Sequence, residues 1–406
     1  MAGILEGVKV VDMGHVVAAP AACAMMADWG ADVIKVEPLA GELIRGLRRF
    51  QDVDVVIPFE GGEVFPAVEL LNRSKRGIAL DLQQESGKAI FYELIKASDV
   101  FLTNYELSAV KKLNLDYDTI RSHNPTIVYA LLTGYGTVGP DKDERGFDYS
   151  AAWARSGMQH LIGEPGSPPP PQRGGMMDTV TSTQIVAGCM AALLHKEKTG
   201  EGQQLEFSLY HSAVWTLGLD IQMALMDAPL PKHDRTAAKN PLWNTYRTKD
   251  DRWIWLSMLQ SDQQWPGFCR SIGKPELEND PRFADMEARD LNAKALILIL
   301  DEAFAGHTLE EWIIRLKEND CIFARVQTPT EVTADPQAAA NNFFSEIDHP
   351  VGIKMRMINT PVKFRQNPAS IKAVAPQIGQ HTEEILLDLG FDWEDIIRFK
   401  DQGVIL

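Results

Sequence analysis

Hydrophobic and polar positions in the first half of the chain fall into two alternating textures. Residues 8–13, 31–37, 78–82, 100–104 and 127–133 are short, nearly unbroken apolar runs. Between them, 20–29 and 85–96 carry apolar residues at helical spacing, the first closed by Gly30, and shorter helices are expected near Ala109 and Tyr117. Strands that are apolar on both faces and separated by helices predict a Rossmann-like α/β fold with a covered parallel sheet. Ligands of such sheets gather at the C-terminal strand ends. Here those ends carry Met13-Gly14-His15, Glu37, Thr103-Asn104-Tyr105 and Thr133-Gly134-Tyr135-Gly136.

The first strand–helix–strand unit ends on an acid, as dinucleotide-binding units do. Its loop, Gly14 to Pro20, has one glycine where that fingerprint needs three, which argues against NAD. His15 at a strand end reads either as a neutral structural histidine or as a ligand contact.

Beyond a proline run, Pro168 to Pro171, comes Gly174-Gly175-Met176-Met177-Asp178, then an apolar helix expected over 179–198 that stops at Gly200. Asp178 has two readings. It is an N-cap for that helix, or a nucleophile held on a Gly-Gly approach where backbone can come close to a ligand. A strand at 203–208 and a helix over 211–226 follow. The polar, proline-containing stretch 227–239 reads as a linker. A tryptophan-rich region then predicts a hairpin, 243–247 with 253–258, turning at Asp250-Asp251. Helices near 263–272, 293–304 and 309–319 and a strand over 321–328 complete a smaller α+β domain. The expected organisation is a large domain over 1–226, a small one over 227–329, and 330–406 returning to the large one.

Composition narrows the partners. A formal charge of −16 over 406 residues argues against nucleic acid and anionic membranes. The cysteines, Cys23, Cys189, Cys269 and Cys321, are scattered without metal spacing and read as reduced thiols, so no metal is expected. No leader-like start and no run of membrane-spanning length are apparent, and a cytoplasmic protein is expected.

Several runs together resemble the class III CoA-transferase (CaiB/BaiF) family over nearly the whole chain. They are Leu5-Glu6-Gly7-Val8, Trp29-Gly30-Ala31-Asp32, Ser74-Lys75-Arg76-Gly77, Thr133-Gly134-Tyr135-Gly136, Gly146-Phe147-Asp148-Tyr149, Lys198-Thr199-Gly200-Glu201-Gly202 and Ala375-Pro376-Gln377-Ile378-Gly379. The resemblance implies that Asp178 is the family's nucleophile, its charge favoured by the helix N-terminus. It implies an acyl-CoA and a free carboxylic acid as substrates, an aspartyl anhydride and an aspartyl-CoA thioester as intermediates, and an interlocked homodimer. CoA enters as part of the substrate, with no metal or redox cofactor needed. The CoA contacts carried over by motif are His15, Val16, Ala18, Lys75, Asn104, Tyr105 and Tyr135, with Lys75, Arg76 and Arg45 meeting phosphates. Phe147 stands where the family's racemases have a basic His, which argues against proton abstraction here. Val17, Pro38 and a glycine-free 255–261 argue against a formyl or oxalate transferase. The closest likeness is to the branch acting on 2-hydroxy acids and their enoyl acids, with a CoA-binding subunit lacking activity as the rival. Trp153 and Met158 read as core packing or as acyl-pocket lining.

Overall fold

The computed structural model describes residues 3–50 and 53–406. Six parallel strands form the main sheet: β1 (Lys9–Met13), β2 (Asp32–Glu37), β3 (Arg76–Ala79), β4 (Val100–Thr103), β5 (Val128–Thr133) and β6 (Gln203–Ser208). Their spatial order is β3-β2-β1-β4-β5-β6, so the winding reverses between β1 and β4. That order is the doubly wound one, and the reversal opens a crevice at the strand ends.

The unbroken apolar strands are explained by two cores. Val10, Val33, Val100, Leu102, Val128 and Ala130 point to one face, under α1 (Ala18–Asp28) and a long helix later in the chain. Val11, Phe101, Tyr129 and Leu131 point to the other, under α2 (Glu85–Lys96) and the C-terminal helices Thr382–Asp388 and Trp393–Asp401. Successive side chains alternate faces, and both faces are buried, so no polar alternation is left to see.

The long helix, α3 (Met176–Thr199), starts three residues before the expected Thr179 and ends as expected before Gly200, whose φ is 76°. Its 24 residues are long and apolar enough to cross a membrane, a length that the expectation of no such run had missed. Met177, Ile185, Val186, Cys189 and Ala192 are instead buried against the sheet and α1. Burying a Val or Ile side chain contributes roughly 1.5–3 kcal/mol. The helix expected over 211–226 is two, Leu209–Thr216 and Gly218–Ala224. Trp153 and Met158 are buried in the core beneath α3, in keeping with packing. Cys23, Cys189 and Cys269 are buried and Cys321 half-buried, all as free thiols.

The chain divides into two compact units. The larger comprises 1–159, 171–229 and 339–406, and the smaller comprises 160–170 and 230–338. The smaller unit has an antiparallel sheet of Thr245–Arg247, Trp253–Leu256 and Phe323–Arg325. The hairpin turns at Asp251, with φ 60°. Trp265, Phe268, Phe304 and Trp312 from the helices Ser261–Ser271, Ala293–Phe304 and Leu309–Glu318 fill its core. The hairpin Phe344–His349 with Ile353–Ile358, in the larger unit, was not anticipated.

Candidate active site

At the reversal point, the side chain of Asn104 staples the ends of β1 and β4. Its Oδ1 accepts the His15 N–H at 2.8 Å and its Nδ2 donates to the His15 carbonyl at 2.9 Å. Both amide functions are thus used in fixing the loop that follows β1. Val16 in that loop has φ 66°, a conformation that a β-branched residue adopts only under constraint. Such strain costs about 1–3 kcal/mol and must be held by the surroundings. The holder is Glu42, whose Oε2 accepts the Val16 N–H at 2.8 Å.

Glu42 is in turn one member of a buried ionic network. Lys35 Nζ lies 3.0 Å from Glu42 Oε1 and donates to the Gly14 carbonyl. Asp12 Oδ2 lies 3.8 Å from Lys35 and 2.7 Å from Lys75. Asn72 donates to Glu42 at 3.2 Å. Burial pushes the Asp12 carboxyl up, but the two ammonium groups outweigh it and hold it below its ordinary value. Two carboxylates and two ammoniums balance, as buried charges require. The N–H groups of Gly14, His15 and Val16 are all spent inside this frame, on Asp12, Asn104 and Glu42.

The facing wall comes from the chain after β5. Gly134 and Gly146 meet backbone to backbone, and a Cβ on Gly134 would lie 2.9 Å from the Gly146 Cα. This close approach returns the chain to the strand end and presents Phe147 and Asp148 there. Asp148 is 4% exposed, and burial raises its pKa.

Between floor and wall lies a cleft of about 400 Å³. His15, Val16, Val17, Ala18, Asn104, Tyr105, Leu132, Phe147, Leu209 and Asp178 are among its lining, with Lys142 and Arg145 also contributing. Asp178 is 9% exposed, and among the described residues its carboxylate has no hydrogen-bond or ion-pair partner. Burial, with the Asp148 charge beside it, pushes its pKa up to about 7. Asp178 is not the helix cap: Gly175 is, and Asp178 sits in the first turn. Burial and the Asp148 charge act against the ionisation that the helix end favours.

The expected contacts divide. His15, Val16, Ala18, Asn104 and Tyr105 reach the cleft with Asp178. The His15 ring stacks obliquely near Tyr105, at 5.2 Å, and burial lowers its pKa, so it is neutral. Four residues do not reach it. Lys75 is wholly buried, its ammonium donating to Asp12 and Asn72 and to the carbonyls of Pro20 and Leu71. Arg45 forks onto Glu37 at 2.7 and 2.8 Å. Arg76 binds Asp32, Glu384 and Asp388. Tyr135 packs against the core with Arg155 over its ring. Each cation is committed to carboxylates, so none is placed to meet a phosphate.

Sequence reasoning passed over Asp12, Lys35 and Glu42. The first two had a signal: a charged residue in an otherwise apolar, doubly covered strand needs a buried partner. Glu42 had none, since it lies in an irregular stretch.

With this geometry described, similarity to known proteins can be set beside it. The profile of CoA-transferase family III matches residues 5–382. The chain is 35% identical over 403 residues to the (R)-2-hydroxy-4-methylpentanoate CoA-transferase of Clostridioides difficile, covering 99% of each. It is 33% identical over 414 residues to the cinnamoyl-CoA:phenyllactate CoA-transferase of Clostridium sporogenes, covering 99% of this chain and 98% of the relative. A CAIB/BAIF family protein from Brucella suis superposes with a TM-score of 0.85 at 27% identity, over 96% of this chain and 100% of that one.

Proposed function

This chain belongs to CoA-transferase family III, and on that premise we propose that it moves CoA from an acyl-CoA to a free carboxylate through covalent intermediates on Asp178. The observation that carries the reading is the Asp178 carboxylate itself, buried in the cleft wall and left without a partner. An Asp that served only structure would be paired at that depth.

The chemistry follows from that carboxylate. Asp178 in its ionised form attacks the thioester carbonyl and expels CoA as thiolate, leaving an acyl-aspartyl anhydride. The thiolate attacks the aspartyl carbonyl of the anhydride, freeing the donor acid and forming aspartyl-CoA thioester. The acceptor carboxylate attacks that thioester, the thiolate leaves again, and its return on the acyl carbonyl of the second anhydride gives the new acyl-CoA and restores Asp178. No electron is transferred, so no redox group is called for. Each addition puts charge on an oxygen, which needs preorganised donors. With the amides of Gly14, His15 and Val16 occupied, the first turn of α1, where Val17 and Ala18 line the cleft, is a source of such donors.

CoA fits along the strand ends. A second cavity of about 320 Å³, lined by Met13, Val36, Pro38, Leu82 and Leu113, shares Tyr105 with the cleft. The adenine end occupies that apolar cavity, the pantetheine arm passes Tyr105, and the thioester reaches Asp178. His15, Val16, Ala18 and Asn104 then line the arm. Lys142 at the cleft replaces Lys75, Arg76 and Arg45 as a phosphate partner, and Arg145, held 3.1 Å from Glu106 in an exposed pair that a phosphate can displace, is the second.

The acyl group meets Val17, Leu132, Phe147 and Leu209. An apolar lining of this kind suits a branched or aromatic acyl chain, and the two curated relatives act on substrates of that character by name. The substrate pair is therefore a 2-hydroxy acid and the CoA ester of its own or a related enoyl acid. The working form is a homodimer with each chain threaded through the other. Trp215, Leu219, Leu225 and Met226, at 73% to 85% exposure, are apolar surface that a second copy would cover. Four free thiols suit a reducing, cytoplasmic setting.

The test is exchange between a panel of acyl-CoAs and free acids, with 2-hydroxy acids included, read by mass spectrometry, together with hydroxylamine quenching. Wild type should form new thioesters and carry a hydroxamate on Asp178, and Asp178→Ala should do neither. Transfer that survives in Asp178→Ala would remove Asp178 from the mechanism.

A further inference from the structure

The segment that joins β1 to α1 holds a conformation that its own residues disfavour. Val16 sits at φ 66°, where a β-branched side chain crowds the backbone. An outlier of this kind persists only where the surroundings impose it, and such outliers cluster at working sites. Val16 and the two residues after it, Val17 and Ala18, line the cleft together with Asp178. The group that imposes the conformation is buried outside that lining. The Glu42 side chain is 3% exposed, and its Oε2 accepts the Val16 N–H at 2.8 Å.

Glu42 is itself held at several points. Lys35 Nζ, at 3.0 Å, and the Asn72 side-chain amide, at 3.2 Å, both meet its Oε1. Its backbone N–H donates to Glu37 Oε1 at 3.0 Å, and Arg45 forks onto the same carboxylate. The Arg45–Glu37 pair, which brings no cation to the cleft, thus anchors the residue behind its wall. A buried ion pair adds little net stability over apolar groups of the same shape. Here the buried charges of Asp12, Lys35 and Glu42 are bonded to the N–H and carbonyl of Gly14 and the N–H of Val16. The geometry they enforce on this loop explains their presence better than stability does.

We propose that Glu42 is a positioning residue for the transfer reaction: by accepting the Val16 N–H from outside the cleft, it holds Val16 left-handed and so sets the first turn of α1 against the cleft. The proposal rests on the reading of that cleft as the place where Asp178 reacts. Glu42 touches neither substrate nor reacting atoms in this role. With Val16 in an ordinary extended or helical conformation, the peptide units on either side would turn. Val17 and Ala18 would then enter α1 from another direction, and the wall they form would shift.

Two substitutions test this as a pair. Glu42→Gln is nearly isosteric but leaves one acceptor oxygen in place of two. Lys35 and Asn72 both donate at Oε1, so that oxygen goes to them and the new NH2 group faces the Val16 N–H. Two donors then oppose each other, and Val16 is released from φ 66°. Val16→Gly is the second change, because glycine adopts the left-handed conformation without steric cost. Wild type, both single variants and the double variant are compared by kcat/KM for acyl-CoA in the transfer assay, with Asp178→Ala beside them. Amide hydrogen exchange over residues 14–19 is measured in the same proteins.

Glu42→Gln should lower kcat/KM by about 100-fold, the scale of an ångström-sized misplacement. The same change made in the Val16→Gly background should cost less than about tenfold, since no strained conformation is left to enforce. Exchange over 14–19 should quicken in Glu42→Gln. A residue that served stability alone would give the same fold-loss in both backgrounds, and that result overturns the proposal. Unchanged exchange in Glu42→Gln overturns it as well. Transfer that survives in Asp178→Ala strikes the nucleophile reading instead, and the cycle still decides the role of Glu42. If Glu42→Gln does not fold, Glu42→Asp takes its place. It keeps the charge for Lys35 and withdraws the acceptor from Val16 by one methylene, and equal losses in both backgrounds again overturn the proposal.

Discussion

Replacing Asp178 with Asn should make this protein more stable at pH 8 while abolishing transfer. The wild-type carboxyl has its pKa pushed from an ordinary 3.8 up to about 7 by burial and by Asp148. The folded state thus holds a proton between those values that the unfolded chain has released. Stability that this group supports is complete below about pH 4, declines as pH rises through about 7, and is gone above it. At about 1.4 kcal/mol per tenfold change, the interval amounts to about 4 kcal/mol. The Asn amide carries no charge but is still a buried polar group without a partner, so the gain at pH 8 should be about 2–3 kcal/mol. At pH 4 the two proteins should differ little. Urea unfolding of both at pH 4 and pH 8, with free-energy differences taken at matched slope, measures this directly. In wild type the same group should set an acid limb in kcat/KM near pH 7, because that ratio reports the free enzyme and only the ionised form attacks. An Asn variant that is no more stable than wild type at pH 8, or a kcat/KM that stays flat down to pH 5, would refute the argument. Either would mean that Asp178 is ionised in the folded protein at little cost.

Other consequences can be checked with single changes. Lys75→Met leaves Asp12 buried with only the more distant Lys35, and should cost about 3–5 kcal/mol in urea unfolding. Arg76→Ala removes a partly exposed contact to three carboxylates and should cost about 1 kcal/mol. Its KM for acyl-CoA should not change, whereas a phosphate contact would raise it. Gly174→Ala drives a methyl into the Phe50 ring and should lower kcat by about 10- to 100-fold, with Phe50→Ala in the same chain restoring much of it. The double change Lys142→Ala and Arg145→Ala should raise KM for acyl-CoA severalfold, leave kcat nearly unchanged, and flatten the dependence of KM on salt.

Much of the larger unit was legible in the chain, and the reason is local. Residues 85–96 and 203–208 have the limits expected of them because their ends are set by near neighbours. Other boundaries slipped where tertiary contacts intervened. The long helix begins at Met176, where Gly175 enters it in the left-handed conformation at φ 74°. The helix expected over 211–226 breaks at Leu217. Of the expected site residues, those adjoining β1 and β4 reach the cleft because the strand ends define it. The basic residues do not, because motif matching says nothing of which carboxylate has already claimed each one.

By itself the sequence determined the parallel sheet, its place at the centre of the larger unit and the strand ends as the functional edge. It could do so because burial of both faces removes polar residues from the strands, and that absence is written in consecutive letters. Only the tertiary structure decided which carboxylates are free to react. Asp12, Glu42, Asp148 and Asp178 look alike in one dimension. Asp12 is claimed by Lys75, 63 residues away, and Glu42 by Lys35 and the Val16 amide. Asp148 is buried outside the cleft lining. Asp178 faces the cleft with no hydrogen-bond or ion-pair partner among the described residues, and desolvation holds its proton until about pH 7. Charge pairing in a low-dielectric interior depends on distance in space, so the identity of the reactive group became readable only once the chain had folded.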